Sequence, residues 1–209
     1  EKRFVDQFGV TGDYWLIQAG GKLKSWSSKL WHPDYWQDVV DHFKGKITFV
    51  QCGTNKPFHF HPKLNNVIDL IDKERHLRDY VNLIYHSIGT LSIVTGLHHL
   101  NKAVPQKLAN HRALVTVASG VEPTCWEQYN GQVYLTKSGM MPCCSGKGGC
   151  CWKTRSSKIV GEEYVPDKSC QFTTKVDIPQ GYEDQIEELL IPKCLVDIKP
   201  IDVIKQIEY

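Results

Sequence analysis

Leu91-Ser92-Ile93-Val94-Thr95-Gly96-Leu97-His98-His99-Leu100-Asn101-Lys102-Ala103 decides the fold of this chain. The run 91–94 is apolar and β-branched, of strand length, and Gly96 breaks it. Segment 97–104 then reads as a helix. Strand, glycine turn and helix make up one half of a βαβ unit, and the same unit recurs on either side. Upstream, residues 14–19 form a short apolar run ending in Gly20-Gly21. His32-Pro33 opens an amphipathic stretch in which Trp36, Val39, Val40 and Phe43 recur at helical spacing. Residues 47–50 are closed by Gly53, residues 67–70 read as another strand, and Leu77, Tyr80, Val81, Ile84 and Tyr85 make a helical face. Downstream, Ala113–Ala118 and residues 133–135 complete the strands. Strands separated by helices of about 10–15 residues predict an α/β fold, a Rossmann-like parallel sheet with helices on both faces.

After Lys137 the texture changes. The cysteine-rich window, the polar segment 153–176 and the acidic stretch 183–188 form no repeating strand–helix unit. Periodicity returns in residues 200–207, a proline-started helix with a narrow apolar stripe. The expected organisation is a Rossmann-like domain over residues 1–137 and a cysteine-rich segment over 138–209, whose last helix packs back on the sheet. No internal repeat or low-complexity tract is present.

The chain has 209 residues, enough to bury a sizeable core. A net charge of +2, without a basic run or an aromatic–basic stripe, argues against a nucleic-acid partner. No stretch is apolar for long enough to span a bilayer as a helix, and there is no basic-then-apolar leader. These features predict a cytoplasmic protein or a piece of one, in which thiols stay reduced.

The chain carries 8 cysteines, and the spacing of six of them is informative. Pro142-Cys143-Cys144-Ser145-Gly146-Lys147-Gly148-Gly149-Cys150-Cys151-Trp152 presents two adjacent pairs, and Cys170 and Cys194 come later. Thiolates from two turns and two later loops can fill a tetrahedral metal site, and the intervening glycines permit a tight turn. Disulfides and plain thiols are the alternatives. Successive side chains diverge, so one of Cys143 and Cys144, one of Cys150 and Cys151, and both Cys170 and Cys194 form the expected ligand set. A closed four-thiolate site, holding iron or zinc, would be structural. Cys52 and Cys125 stand apart and read as buried thiols.

In an open parallel sheet, ligands bind beyond the carboxyl ends of the strands. Three turns qualify: Gly20-Gly21 with Lys22, Ser25, Ser28 and Lys29 after it; Cys52-Gly53-Thr54-Asn55; and Thr95-Gly96-Leu97-His98-His99. Neither GxGxxG nor GxxxxGK[ST] occurs, so the sheet is not expected to use either standard phosphate loop. Residues 58–62, Phe-His-Phe-His-Pro, alternate, which would place both imidazoles on one strand face, as a loop lip near a ligand or an adventitious metal site. Neighbouring His98 and His99 would diverge on a helix, so a structural role is expected for His98. Most of the 6 tryptophans are expected in the core, with Trp26 and Trp126 nearest a ligand.

The order of these motifs resembles the C-terminal domain of family 9 glycosyltransferases, the ADP-heptose heptosyltransferases. Gln18-Ala19-Gly20-Gly21 with Lys29-Leu30-Trp31-His32-Pro33 is similar to that domain's opening motif, and residues 94–103 are similar to its Asp-Thr-Gly-x-x-His-Leu segment. The stretch Gly120 to Trp126 resembles the family's next segment along the chain. The cysteine window is similar to that of the autotransporter heptosyltransferase branch, in which four cysteines are held to bind iron; that similarity favours Cys151, before Trp152, over Cys150. The resemblance implies the donor-binding half of a GT-B enzyme. Its ADP-sugar donor would be held by Lys29, Thr95, Gly96, His99, Gly20 and Gly21. The metal would be held by Cys143 or Cys144 with Cys151, Cys170 and Cys194. The implied partners are the nucleotide-sugar donor and an acceptor domain, protein or glycan outside residues 14–135, with an oligomer left open. No catalytic base is implied within the chain, and the family's aspartate before Thr-Gly is replaced by Val94. The rival expectation is a non-catalytic binding or assembly module built around the cysteine site.

Overall fold

Along Trp15–Gln18, the first strand (β1), successive side chains leave on opposite sides, as the pleat requires. Trp15 and Ile17 enter one buried cluster, while Leu16 enters another. A strand apolar on both faces needs cover on both, and the computed structural model provides it. The structure describes residues 3–73, 76–107, 112–145 (backbone only at 144 and 145), 155–166 and 169–208.

Five further strands join β1 in one sheet: β3 (Phe49–Gln51), β5 (Ile68–Asp69), β6 (Gly89–Ile93), β7 (Ala113–Ala118) and β8 (Val133–Thr136). Every pairing is parallel, and the order is β5-β3-β1-β6-β7-β8. The chain thus builds outward from β1 in one direction, returns, and builds outward from β6 in the other. This is the doubly wound order of Rossmann-like folds, and its switch point lies between β1 and β6.

Helix α2 (Pro33–His42) starts with proline at its first turn, and its preceding residue His32 accepts the Asp34 N–H at 3.2 Å. It covers the Trp15 face together with α8 (Pro200–Glu208), which lies against both α2 and the sheet. Helices α3 (Leu77–His86) and α4 (Gly96–Ala103) cover the Leu16 face. The short helical turns α1 (Leu23–Trp26), α5 (Thr124–Glu127), α6 (Pro142–Ser145) and α7 (Lys193–Val196) sit in the connections.

Two small antiparallel additions were not legible in the sequence. Strands β2 (Gly21–Lys22) and β4 (His59–Phe60) pair over the end of β1. Strands β9 (Lys158–Ile159), β10 (Thr173–Val176) and β11 (Ile186–Pro192) form a sheet in the order β10-β11-β9. The acidic stretch thus enters a strand, with a register shift between Ile186 and Glu188. That irregularity sets two acidic residues side by side and breaks the alternation that would have signalled a strand. Ile159, Ile186, Leu189 and Ile191 extend the same core as Trp31 and Trp36. Cys125, expected to be buried, is exposed on α5; four residues of helix give it no second layer to hide under.

Arg112, buried at the entry to β7, donates to the Ile84 carbonyl at 3.1 Å, to Val104 at 3.0 Å and to Asn101. One guanidinium therefore serves carbonyls at the C-terminal ends of both α3 and α4, where a cation is favoured. Replacing it strips buried carbonyls of a charged donor. Arg112→Met should lower unfolding free energy by about 3 kcal/mol, the scale of lost charged hydrogen bonds. Urea denaturation with an unchanged m-value is the measurement; a loss below about 0.5 kcal/mol, the least a net hydrogen bond contributes, would remove this role.

Candidate functional site

The crevice beyond β1 and β6 contains a cavity of about 300 Å³, at the lower end of the range for small-molecule sites. It is lined by the strand ends, Gln18 of β1 and Ile93 of β6, with Val94 next after β6. Gly21, Lys22, Trp26 and Lys29, from β2 through the 3-10 turn Ser27–Lys29, join them. Thr95-Gly96 at the start of α4, and Thr54, His59 and His61, complete the lining. Of the residues singled out for a donor, Gly21, Lys29, Thr95 and Gly96 come together here. Gly20 lies behind the wall. His99 points elsewhere, with Nδ1 2.7 Å from the Tyr129 hydroxyl and Nε2 3.2 Å from Glu127.

Thr95 is the residue before α4, and its side chain does not cap the helix. It donates to Gln18 Oε1 at 2.6 Å instead. The first-turn N–H groups of α4 have no intrahelical acceptor by geometry, and with Thr95 and Gly96 lining the cavity the positive end of the helix dipole lies at it. This is the arrangement that receives phosphate or carboxylate groups.

The two histidines of residues 58–62 both line the cavity, as their alternation predicts, although only His59 lies within β4. His61 is 5% exposed, and its Nδ1 has no hydrogen-bond partner among the described residues. Its backbone is fixed by Tyr182: the hydroxyl accepts the His61 N–H at 2.9 Å and donates to the His61 carbonyl at 3.1 Å. The ring sits between Gly20 and Gly53, where a Cβ on Gly20 would approach Nδ1 to 2.7 Å and one on Gly53 to 2.6 Å. Both positions therefore exclude side chains. Burial, then the neighbouring His59, pushes the His61 pKa down to about 4, so the ring is neutral at pH 7.

Lys29 lies against the Trp26 ring, 4.4 Å from its centroid, and pairs with Glu122 at 2.5 Å. Glu122 comes from the loop after β7 and is buried. Burial raises its pKa, and Lys29 opposes that rise. Sequence reading missed this acid; it sits in the Gly120-to-Trp126 stretch, but nothing there signals burial. Trp126, expected near a ligand, is 66% exposed and does not line the cavity.

His98, His99 and Glu127 bring ligand atoms within 4.8 Å of one another. His98 is not available to an ion, however. Its Nε2 donates to the Glu127 carbonyl at 2.8 Å, and its Nδ1 lies 3.0 Å from both Thr116 Oγ1 and Gln132 Nε2. Burial holds it below the ordinary imidazole range. These contacts fit a structural role.

Of the cysteines expected to bind metal, Cys143 is half-buried, while Cys170 and Cys194 are buried. Cys150, Cys151 and the side chain of Cys144 lie outside the described residues. The β10–β11 register pairs Thr173 with Pro192, bringing Cys170 and Cys194 to the same end of that ladder. Cys170 N–H donates to the Arg155 carbonyl at 2.8 Å, so the chain leaving the cysteine window also passes there. Cys194 Sγ accepts the Gly120 N–H at 3.4 Å.

No protein-family model and no curated protein matches this chain. Among solved structures, ADP-heptose LPS heptosyltransferase II of E. coli is similar at a TM-score of 0.59 and 14% identity, over 98% of this chain and 49% of that one. The chain thus spans about half the length of that enzyme, and the likeness establishes a shared fold. E. coli heptosyltransferase WaaC with ADP matches 63% of this chain and 39% of its own, at a TM-score of 0.42 and 15% identity. The iron-containing dodecameric glycosyltransferase TibC of enterotoxigenic E. coli matches 68% of this chain and 34% of its own, at 0.45 and 18%. These last two likenesses are partial.

Because His61 is neutral when folded but titrates at its ordinary pKa when unfolded, its contribution is complete above about pH 6.5 and is lost as pH falls toward 4. Wild type should lose about 3 kcal/mol more than His61→Gln between pH 7 and pH 4. Denaturant titrations of both proteins across that window measure the difference. Parallel pH profiles would mean that His61 is solvated.

Proposed function

We propose that these residues form the donor-binding part of a glycosyltransferase, taking a nucleotide sugar with ADP-heptose as the favoured donor. The observation that carries this reading is the meeting of Lys29, Gly21, Thr95 and Gly96 around one cavity at the switch point of the sheet. Lys29 and the N-terminus of α4 would hold the diphosphate. As the glycosidic carbon–oxygen bond to phosphate breaks, negative charge grows on the departing diphosphate. A cation and fixed N–H dipoles in a partly desolvated crevice stabilise that charge. The Trp26 ring and the two imidazoles offer flat surfaces to the nucleoside. His61 Nδ1 offers it a hydrogen-bonding atom that no described protein group uses. Val94, buried where the resembling motif has aspartate, contributes no polar contact.

The acceptor and its activating base would come from outside these residues, as in any two-domain enzyme with its site in the cleft. The family 9 likeness in the motifs and the fold shared with half of a heptosyltransferase both favour this arrangement.

The cysteines belong to the proposal as a structural iron or zinc site. Cys170 and Cys194 at one end of a strand ladder, with the chain after Cys151 hydrogen-bonded beside them, suit a four-thiolate set. A sulfur accepting a backbone N–H is also the kind of outer contact that steadies a thiolate ligand. The metal would tie the cysteine window to the C-terminal sheet and take no part in transfer.

Calorimetric titration with ADP-heptose tests the donor site. Lys29→Ala should weaken binding by about 1.5–3 kcal/mol, the worth of one charge-assisted contact. Equal affinities for folded wild type and mutant would refute the assignment, and binding by neither would favour the assembly-module reading. The 209 residues alone should bind donor without transferring sugar at an enzymatic rate; robust transfer would overturn the two-part architecture. For the cysteines, elemental analysis should find about one iron or zinc per chain. Cys170→Ser should release it while the parallel sheet survives. Disulfides at these positions in metal-free protein would sink the idea.

A further inference from the structure

Lys29 is the cation best placed to meet a phosphate, yet its ammonium already has a partner. Glu122 Oε1 lies 2.5 Å away, with the Lys29 side chain 18% exposed and that of Glu122 only 3%. The lysine thus stands between cavity and protein, while the acid stands behind it. The negative charge of Glu127 opposes ionisation of Glu122, and Glu127 itself lies 3.2 Å from His99. A buried carboxyl beside a second acid favours its protonated form when no cation balances it.

We propose that Glu122 is a stand-in counterion: a phosphate-bearing ligand takes Lys29 from it, and the freed, buried carboxyl binds a solvent proton. Ligand binding in this cavity therefore takes up a proton. This rests on the donor-site reading and adds how that site is balanced when empty. The only covalent change is protonation: one proton leaves a buffer acid and forms an O–H bond on that carboxyl. The groups facing Glu122 agree with that outcome. Lys29, from the turn Ser27–Lys29, is the charge that keeps it ionised. Glu127 of α5 opposes ionisation, and Tyr134 of β8, whose own pKa is raised by burial and by both acids, stays a neutral phenol. His98 and His99 of α4 adjoin Glu127 rather than Glu122; His98 is held neutral by burial, with Lys29 adding to that effect. Without Lys29, Glu122 keeps burial and Glu127 against its charge, and both favour the protonated form.

The test is calorimetric titration of the 209-residue chain with ADP-heptose in PIPES, HEPES and imidazole at about pH 7. Its diphosphate is a diester and does not titrate in this range. The dependence of binding enthalpy on buffer ionisation enthalpy counts protons. Wild type should take up about half to one proton per ligand, and its affinity should rise by up to about tenfold for each unit that pH falls. Glu122→Gln should abolish the uptake and retain or tighten binding, because Lys29 is then released in advance. Glu127→Gln, which leaves the Lys29–Glu122 pair in place, should reduce the uptake. Binding by wild type with no buffer dependence overturns the counterion exchange but leaves the donor site standing. No binding at all overturns the donor site and this inference with it. If Glu122→Gln does not fold, the wild-type proton count and Glu127→Gln decide.

Discussion

Two buried backbone N–H groups, those of Ser156 and Ser157, find their acceptor in one hydroxyl, Ser27 Oγ, at 3.0 and 3.2 Å. That contact joins residues 129 and 130 positions apart and fixes the turn that carries Lys29. An unsatisfied buried donor costs about 1–3 kcal/mol, so the two segments hold each other in place. The same bracing recurs around the cavity. Trp31 Nε1 donates to the carbonyls of Ile198 and Leu195 at 2.9 and 3.2 Å. Gln185 accepts the Phe58 N–H at 2.9 Å, Tyr182 clamps the backbone of His61, and Cys194 Sγ meets Gly120 N–H, two residues before Glu122. The parallel sheet creates the crevice; residues 156–198 decide where its walls stand.

This division explains the cost the site carries. A buried lysine–carboxylate pair rarely stabilises a fold, because desolvating both charges offsets their attraction. Likewise, a buried imidazole whose Nδ1 meets no partner among the described residues gives up a hydrogen bond that water would have supplied. Both sit in one crevice, between a sheet apolar on each face and a C-terminal layer that fills the remaining core. The core carries the stability that these polar groups do not supply.

How much was legible in the sequence depends on the range of each signal. All six parallel strands and helices α2, α3, α4 and α8 could be read because apolar period and turn residues are local. Rossmann-like class came from their alternation, whereas the order β5-β3-β1-β6-β7-β8 depends on pairings between distant residues. The C-terminal sheet was hidden by the shift at Ile186 and Glu188, and the β2–β4 pair by having two residues in each strand. In the site, Lys29 and Thr95-Gly96 were visible because each lies close to a glycine turn. Glu122 was not, because burial of an acid depends on what packs over it, and that is decided by a lysine 93 positions earlier. Helix geometry predicted that His98 and His99 diverge, yet their rings meet edge to face with centroids 4.9 Å apart; the carbonyl of Glu127 that occupies His98 was not legible either.

The acid beside Lys29 also bears on how this crevice departs from the pattern it resembles. That pattern has an aspartate immediately before Thr-Gly, at the end of the strand corresponding to β6; here Val94 occupies the place, buried and apolar. A carboxylate nevertheless faces the cavity's lysine, delivered from the loop after the neighbouring strand β7. Its location changes its physics. An acid at the end of β6 would stand in the crevice mouth beside the N-terminus of α4, where it would repel an incoming phosphate and compete for the same N–H groups. Glu122 stands behind Lys29, balances it while the cavity is empty, and leaves the positive end of α4 unopposed. On the donor-site reading proposed above, an anion would have to outcompete a carboxylate for one ammonium while reaching the helix terminus, and a diphosphate has the charge and the span to do both.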